Sequence, residues 1–234
     1  MLFRSAASLS LPEHEKFDAK VSEPEGNNDQ RGQGLTEAAR RRDSHFDADY
    51  YRRYYQVPAT AVVTPEMQRN EVAFVLAFCR HIGVDVKRFT DAGAGTGWWA
   101  REFARRYPSC ERIETFDASE AACRLFGHRQ VEIQKMRGPE SDLVVCRDVL
   151  RYLPDADAEK AIRRLAKKCR GVLYVHVITS DDEIDEDGSD MSGFFRSTAW
   201  YRRRFRKAGF SDCGMGLFVS KKFEEFAPFA IESR

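Results

Sequence analysis

Three glycines at alternate positions, Gly93, Gly95 and Gly97 in the stretch TDAGAGTGWW (90–99), constrain this chain more than any other feature. A run of this kind turns tightly and keeps side chains away from whatever lies against it. The residues before it, Val86 to Asp91, read as a short strand. Those after it, Trp98 to Tyr107, read as a helix that stops before Pro108. In a strand–turn–helix unit, backbone N–H groups and the positive helix end face a bound ligand. In an open parallel sheet that ligand sits beyond the carboxyl ends of the strands. The glycine run therefore predicts both an architecture and the edge on which its function resides.

The surrounding pattern supplies such a sheet. A helix is predicted over 64–83, with Thr64 as N-cap, Pro65 in the first turn and Gly83 at the end. Met67, Phe74, Val75, Phe78 and Ile82 make its apolar stripe. Strands are expected at 112–117, 130–133, 142–147 and 172–178, and Ser119 can cap a helix running through Phe126. DADAEKAIRRLAKKC (155–169) and STAWYRRRFRKAG (197–209) read as further helices, with two closing strands near 210–221. Strands alternating with helices imply a parallel sheet covered on both faces.

Composition narrows the class. The 234 residues, 42% hydrophobic, suit one ordinary domain with some extra chain. Residues 1–43 are too polar to bury much surface and are expected to be a disordered extension, followed by a domain over 44–222 and a tail over 223–234. A net charge of +1 gives no overall field that would recruit nucleic acid or a membrane. The six cysteines (79, 110, 123, 146, 169 and 213) lack CxxC spacing, which favours reduced thiols in the cytoplasm over disulfides or a zinc site. There is no membrane-length apolar run and no convincing signal peptide.

Two nucleotide readings of the glycines compete. The dinucleotide fingerprint GxGxxG, which would indicate a nicotinamide-dependent oxidoreductase, needs one more residue before its third glycine. It also has no need for an acid in front of the turn, where this chain has Asp91. TDAGAGTG, the acid in ETFDAS and DLVVCRDVLRYL together resemble the class I S-adenosylmethionine-dependent methyltransferases over about residues 46–221. FDADYYRRYY, CRDVLRYLPD and AWYRRRF look more narrowly like a group of small bacterial methyltransferases.

The resemblance implies a single Rossmann-like, doubly wound sheet of seven mostly parallel strands, the last antiparallel. It also implies S-adenosylmethionine as cofactor, with a role for each matching position. Asp91 would accept from the ammonium, and Ala92, Gly93, Gly95, Gly97 and Trp98 would line the methionine and ribose portions. Asp117, followed by Ala118, would take the ribose hydroxyls, because an ionised carboxylate offers two acceptor oxygens. Glu132 or the Ile133 N–H would meet the adenine. Arg147 and Asp148 end the fourth strand, where the methyl donor lies in such enzymes, and Tyr51 and Tyr55 would form a lid. Of the two tryptophans, one packs inward and the other lines the site.

Methyl transfer to oxygen or nitrogen is an in-line displacement with a good leaving group, so positioning and water exclusion can do most of the work. A general base helps when the acceptor carries a tightly held proton. His176, where the family more often carries an acid, is the candidate, with Asp148 and Tyr152 as alternatives. The expected acceptor is a small molecule. A member of the fold that lacks turnover, or acts on RNA or protein, is the further alternative. The acidic loop at 180–190 lacks the bidentate glutamate of a calcium loop and reads as a mobile lid. YRRRFRK (201–207) reads as a helix with its aromatics inward and its arginines solvated, Arg196 and these arginines being in reach of an anionic substrate.

Overall fold

The computed structural model describes residues 46–51, 64–184 and 190–224. The expectations for the N-terminal extension and most of the C-terminal tail lie outside these residues, as do Tyr55 and the side chain of Tyr51.

In chain order the elements are α1 (Ala48–Tyr51), α2 (Pro65–His81), β1 (Arg88–Ala92), α3 (Trp98–Arg106), β2 (Arg112–Asp117), α4 (Glu120–Phe126), β3 (Arg129–Gln130), β4 (Ser141–Arg147), α5 (Asp155–Lys168), β5 (Cys169–His176), α6 (Thr198–Lys207), β6 (Phe210–Gly214) and β7 (Leu217–Ser220). The seven strands form one sheet in the order β3-β2-β1-β4-β5-β7-β6. Parallel pairing runs from β3 to β5, and β7 lies antiparallel to both β5 and β6. The expected arrangement, six strands in one direction and the last against them, is the one found.

Local chemistry fixes the boundaries. Thr64 Oγ1 accepts from the Met67 N–H at 3.2 Å to open α2. Ser119 Oγ does the same for Ala122 in α4 at 3.1 Å, and Ser197 Oγ for Trp200 in α6 at 3.2 Å. Two expectations need correction. The strand foreseen at 130–133 covers only Arg129 and Gln130, and Ile133–Lys135 is a 3-10 turn. Ile133 itself drops into the core, which bends the chain out of the sheet plane. The buried stripe of α2 is Val72, Val75, Leu76 and Cys79, whereas Met67 and Phe74 are exposed. These four follow helical spacing and meet the sheet squarely; Phe78 and Ile82 pack beside them only in part.

Two apolar clusters sandwich the sheet. On one face α5 and α6 bury Ile162, Leu165, Tyr201 and Phe205 against Val144, Cys146, Leu173 and Phe218. On the other, α2 and α3 bury Val75, Trp99 and Phe103 against Phe89, Leu143 and Val172. Phe89 stacks on Phe103 at 4.2 Å and on Trp99 at 5.6 Å, fixing α3 against β1 directly behind the glycine turn.

Candidate functional site

β1 delivers Asp91 and Ala92 to the carboxyl edge, and the chain then enters the glycine turn. Gly93 has φ 89° and Gly97 φ 70°, both in the left-handed region. A Cβ on Gly93 would stand 2.1 Å from Val149 Cγ2, and one on Gly97 2.9 Å from the His128 ring. The turn is tied to β2 by the N–H groups of Gly93 and Ala94, which both donate to Phe116 O, at 2.8 and 2.9 Å. Gly95 is gripped from two sides. Its N–H donates to Asp117 Oδ2 at 2.8 Å, and its carbonyl accepts from His128 Nε2 at 3.0 Å. A carbonyl has no proton to give, so His128 carries its hydrogen on Nε2 and faces Thr115 Oγ1 with Nδ1 at 3.0 Å. Burial lowers the pKa of His128, which keeps it neutral near pH 7.

Asp117 sits at the end of β2 with both oxygens engaged, Oδ2 by Gly95 and Oδ1 by the Ser119 N–H at 2.8 Å. Burial raises its pKa, and these backbone donors oppose the rise. An ionised carboxylate has about four lone-pair sites, so acceptor capacity remains for a hydroxyl. Asp91 differs. It is 2% exposed, and its buried Oδ2 finds no hydrogen-bond partner among the described residues. Desolvation, then the nearby Asp117 charge, push its pKa up to about 7. A carboxylate in that condition is suited to receive a cation.

At the next edge position, β4 ends at Arg147 and Asp148 follows it. Asp148 holds a left-handed φ of 53°; its N–H donates to His176 O at 2.7 Å and its Oδ1 accepts from Arg151 Nε at 2.7 Å. The fully buried Arg151 also donates to the carbonyls of Asp190 and Ser192, each at 2.7 Å. Tyr152 OH donates to Asp190 Oδ2 at 2.9 Å and lies 3.3 Å from Tyr50 OH. Phe46 packs edge-on against Tyr50 and Tyr152, and its carbonyl accepts from Ser119 Oγ at 2.8 Å. Phe46, just before α1, and Tyr50, within it, thus bridge the ends of β2 and β4.

β5 brings His176 into register with Arg147. The imidazole is exposed, yet crowding by the surrounding protein and then the Arg147 charge lower its pKa. Beside it opens a cavity of about 340 Å³ between the end of β5, α6 and the Gly214–Gly216 turn, lined by Val175, Thr179, Tyr201, Phe205 and Phe218.

The edge therefore collects Asp91, Ala92, the three glycines, Asp117, Ala118, Arg147, Asp148 and His176. Other expected residues are placed differently. Trp99 is the inward tryptophan, while Trp98 is half-buried against the same cluster. Glu132 pairs with Lys135 at 3.0 Å, and the Ile133 side chain is in the core. Arg196 is withdrawn from substrate, being 7% exposed and bound to Asp155 and to the carbonyls of Leu150 and Leu153. In the basic helix Tyr201 and Phe205 point inward as expected, Arg202 pairs with Asp212, and Arg204 lies 3.6 Å from the Trp200 ring centre. The acidic loop is tethered at both ends, by Asp181 and Asp182 to Thr198 and Thr179 and by Asp190 to Arg151. Sequence reasoning missed His128, Glu71 and Arg151, because their partners, Asp148 beside Arg151 excepted, are brought near only by the fold.

Comparison with known proteins now bears on this geometry. A family profile described as a methyltransferase domain matches residues 66–212. Among curated sequences none matches the chain significantly. Of the solved structures, magnesium protoporphyrin IX methyltransferase of Synechocystis PCC 6803, with bound S-adenosylmethionine, superposes with a TM-score of 0.58. The two share 18% identity, over 81% of this chain and 100% of that one. The N-methyltransferase NodS of Bradyrhizobium japonicum, with S-adenosylhomocysteine, gives 0.53 at 16% identity, over 75% and 98%. An amino-pentose methyltransferase of Micromonospora echinaspora, with bound S-adenosylmethionine, gives 0.52 at 20%, over 65% and 90%. At these identities the likeness is one of fold. With the profile spanning more than half the sequence and the superposition on solved methyltransferases, the chain belongs to the methyltransferase-domain family, with a class I methyltransferase fold.

Proposed function

We propose that this protein transfers a methyl group from S-adenosylmethionine to an oxygen or nitrogen of a small molecule. The observation that carries the reading is Asp91, a buried carboxylate with an unpartnered oxygen beside a turn whose glycines a Cβ would obstruct. That pairing fits a ligand with an ammonium at one end and a flat body that needs the backbone close. The group supplies, when bound, an electrophilic methyl on a sulfonium.

The chain's own residues do the rest. Asp91 holds the ammonium, and the turn from Gly93 to Gly97, kept in shape by Asp117 and His128, supports the body of the ligand. Asp117 has acceptor capacity for ribose hydroxyls, and the Glu132 carboxylate or the Ile133 N–H, on the turn after β3, is the candidate to meet the adenine. Phe46 and Tyr50 cover the edge and keep water out. The neutral His176 is the candidate to accept the acceptor's proton, and Asp148, clamped by Arg151, stands next to it. The cavity beside His176 gives room for a small acceptor. That the structural neighbours act on a porphyrin and an amino pentose supports a small molecule as the class to screen.

Calorimetric titration with S-adenosylhomocysteine, and with NAD in a parallel cell, tests this reading. Micromolar binding of the first and none of the second is expected. Silence toward S-adenosylhomocysteine would sink the proposal, and binding of NAD alone would make the glycine turn a dinucleotide site.

A further inference from the structure

The cavity beside His176 holds a charged group that the methyl transfer as described leaves unused. Phe218 on β7 pairs with Leu173 of β5 on one side and with Asp212 of β6 on the other. Residues directly opposite one another in an antiparallel pair share a face. Asp212 therefore leaves the sheet on the side of Leu173 and Phe218, the side that α6 covers with Tyr201 and Phe205. There it lines the cavity together with Val175, Tyr201, Phe205 and Phe218. The Asp212 carboxylate is fixed from two directions. Its Oδ1 accepts from the Gly214 N–H at 2.9 Å, and Arg202 of α6 brings Nε to 3.0 Å from Oδ2. The residue is 5% exposed.

Oδ2 is paired in charge and open in direction. Arg202 Nε stands within ion-pair distance, yet no guanidinium N–H lines up with Oδ2 closely enough to bond it. Among the described residues, the buried side-chain oxygens without a hydrogen bond are on Asp91, Gln134 and Asp212, and of these Asp212 borders the cavity. The other carboxylate in the lining, Asp182, is exposed, and its Oδ2 is taken by the Thr179 N–H at 2.7 Å and the Thr179 hydroxyl at 2.8 Å. The walls are apolar, with the Phe205 and Phe218 rings 4.6 Å apart. The volume of about 340 Å³ equals roughly eleven waters at about 30 Å³ each, room for a body of one or two rings. A ligand that fills a buried, unbonded acceptor relieves the cost of leaving it empty. An ammonium on Oδ2 would stand no more than two hydrogen-bond lengths, roughly 6 Å, from the guanidinium, and the like charges would oppose each other. A neutral hydroxyl or ring N–H meets no such opposition.

We infer that Asp212 is the specificity-determining residue of this cavity, and that the methyl acceptor is a neutral, ring-based molecule whose hydroxyl or ring N–H donates to Asp212 Oδ2. The inference rests on the proposed function, since it names the acceptor class of that site. Arg202 decides the class: by balancing the carboxylate it makes the cavity a receptor for neutral donors instead of cations. β6 lies two strands from β5, roughly 10 Å at about 4.8 Å for each step. The group read by Asp212 and the atom methylated near His176 are therefore at different ends of the acceptor.

The test compares probes that share one ring system and differ in the head group. 2-Naphthol carries a neutral donor, 2-methoxynaphthalene no donor and 2-naphthylmethylammonium a cationic one. Their dissociation constants are read by ligand-observed NMR titration of the full chain saturated with S-adenosylhomocysteine. 2-Naphthol should bind about tenfold more tightly than either of the others, or better. Asp212→Asn keeps an oxygen for the Gly214 N–H and puts an NH₂ in place of Oδ2, so it should bring 2-naphthol down to the level of 2-methoxynaphthalene. Arg202→Met, at a side chain 39% exposed, removes the counter-charge and decides the matter should the Asp212 variant fold poorly. It should tighten the ammonium probe about tenfold and leave the methoxy probe unchanged, a switch of preference that a merely structural ion pair would not produce. Like affinities for all the probes, or no binding at millimolar concentration, would overturn the inference. So would a naphthol preference that survives in Asp212→Asn, and a wild-type preference for the ammonium would assign the cavity to cations and refute it as well. Failure of S-adenosylhomocysteine to bind would sink the proposed function, and the acceptor assignment with it. Binding of that ligand without the naphthol preference refutes the inference alone.

Discussion

Asp91→Asn should make the ligand-free protein more stable at high pH and less able to bind its donor. The reasoning begins with the shift from an ordinary 3.8 to about 7 in a group that is 2% exposed. At about 1.36 kcal/mol per unit, ionising Asp91 inside the fold costs on the order of 4 kcal/mol more than ionising it in the unfolded chain. Because the folded-state pKa is raised, the folded state holds a proton that the unfolded chain has lost between about pH 4 and pH 7. Stability therefore falls as pH rises through that window and levels off above it. Asparagine cannot ionise, so its variant escapes this loss. It carries its own penalty, a buried NH₂ where Oδ2 has no partner, worth about 1–3 kcal/mol. Urea denaturation at pH 5 and pH 8 should show the difference between variant and wild type moving in the variant's favour by roughly 2–3 kcal/mol, ending at pH 8 with the variant equal or ahead. Affinity for S-adenosylhomocysteine should change the opposite way, falling by at least tenfold, about 1.4 kcal/mol, as expected for losing a charged partner. A stability difference that does not move with pH would mean that Asp91 is already compensated, and would refute the argument.

Three further outcomes follow from the same edge. Asp117→Ala strips the acceptor from the Gly95 and Ser119 N–H groups as well as from the ligand. Affinity for S-adenosylhomocysteine should weaken by about 1–3 kcal/mol in calorimetry, with a lower thermal midpoint; unchanged affinity would remove Asp117 from the site. Gly93→Ala places a Cβ 2.1 Å from Val149 Cγ2 at a left-handed φ, so it should destabilise by roughly 2–5 kcal/mol. Adding Val149→Ala should recover the part due to the clash and leave the part due to φ, which a double-mutant cycle by urea unfolding separates. His128 has a lowered folded-state pKa, so the stability tied to it is present above about 6.5 and is lost as pH falls below that value. His128→Gln should flatten the decline of the thermal midpoint between pH 7 and pH 5, and an equally steep decline would exclude His128 as a contributor.

What the sequence makes legible here is what short-range chemistry decides. The Ser119 cap, the α4 helix it opens and the β2 strand from Arg112 to Asp117 fall where the pattern puts them, since each depends on residues within one turn or one strand. The glycine turn is recognisable because close approach and positive φ both need glycine. The grips on the site are another matter. His128 is 33 residues from Gly95, and Glu71 is 76 from Arg147, distances that only the fold closes. The stripe on α2 differs from the expected one for a related reason. Val72, Cys79, Met67 and Phe74 are all apolar enough to face a core, and the choice among them is made by the sheet they meet. The α1 tyrosines show the same limit: Tyr50 engages Tyr152 because β4 brings that partner within reach.

The strand order carries a consequence for how the chain is made. β7, the last strand in sequence, is an interior strand of the sheet, lying between β5 and β6. During synthesis the first five strands can pair as they emerge, but the free ladder of β5 finds its neighbour only once Leu217–Ser220 has been added. Until then a fully apolar strand edge, Val172 to Val175, is open to pairing with another chain. A chain stalled or cut short before residue 217 would keep its glycine turn and its site acids and would still be prone to aggregate.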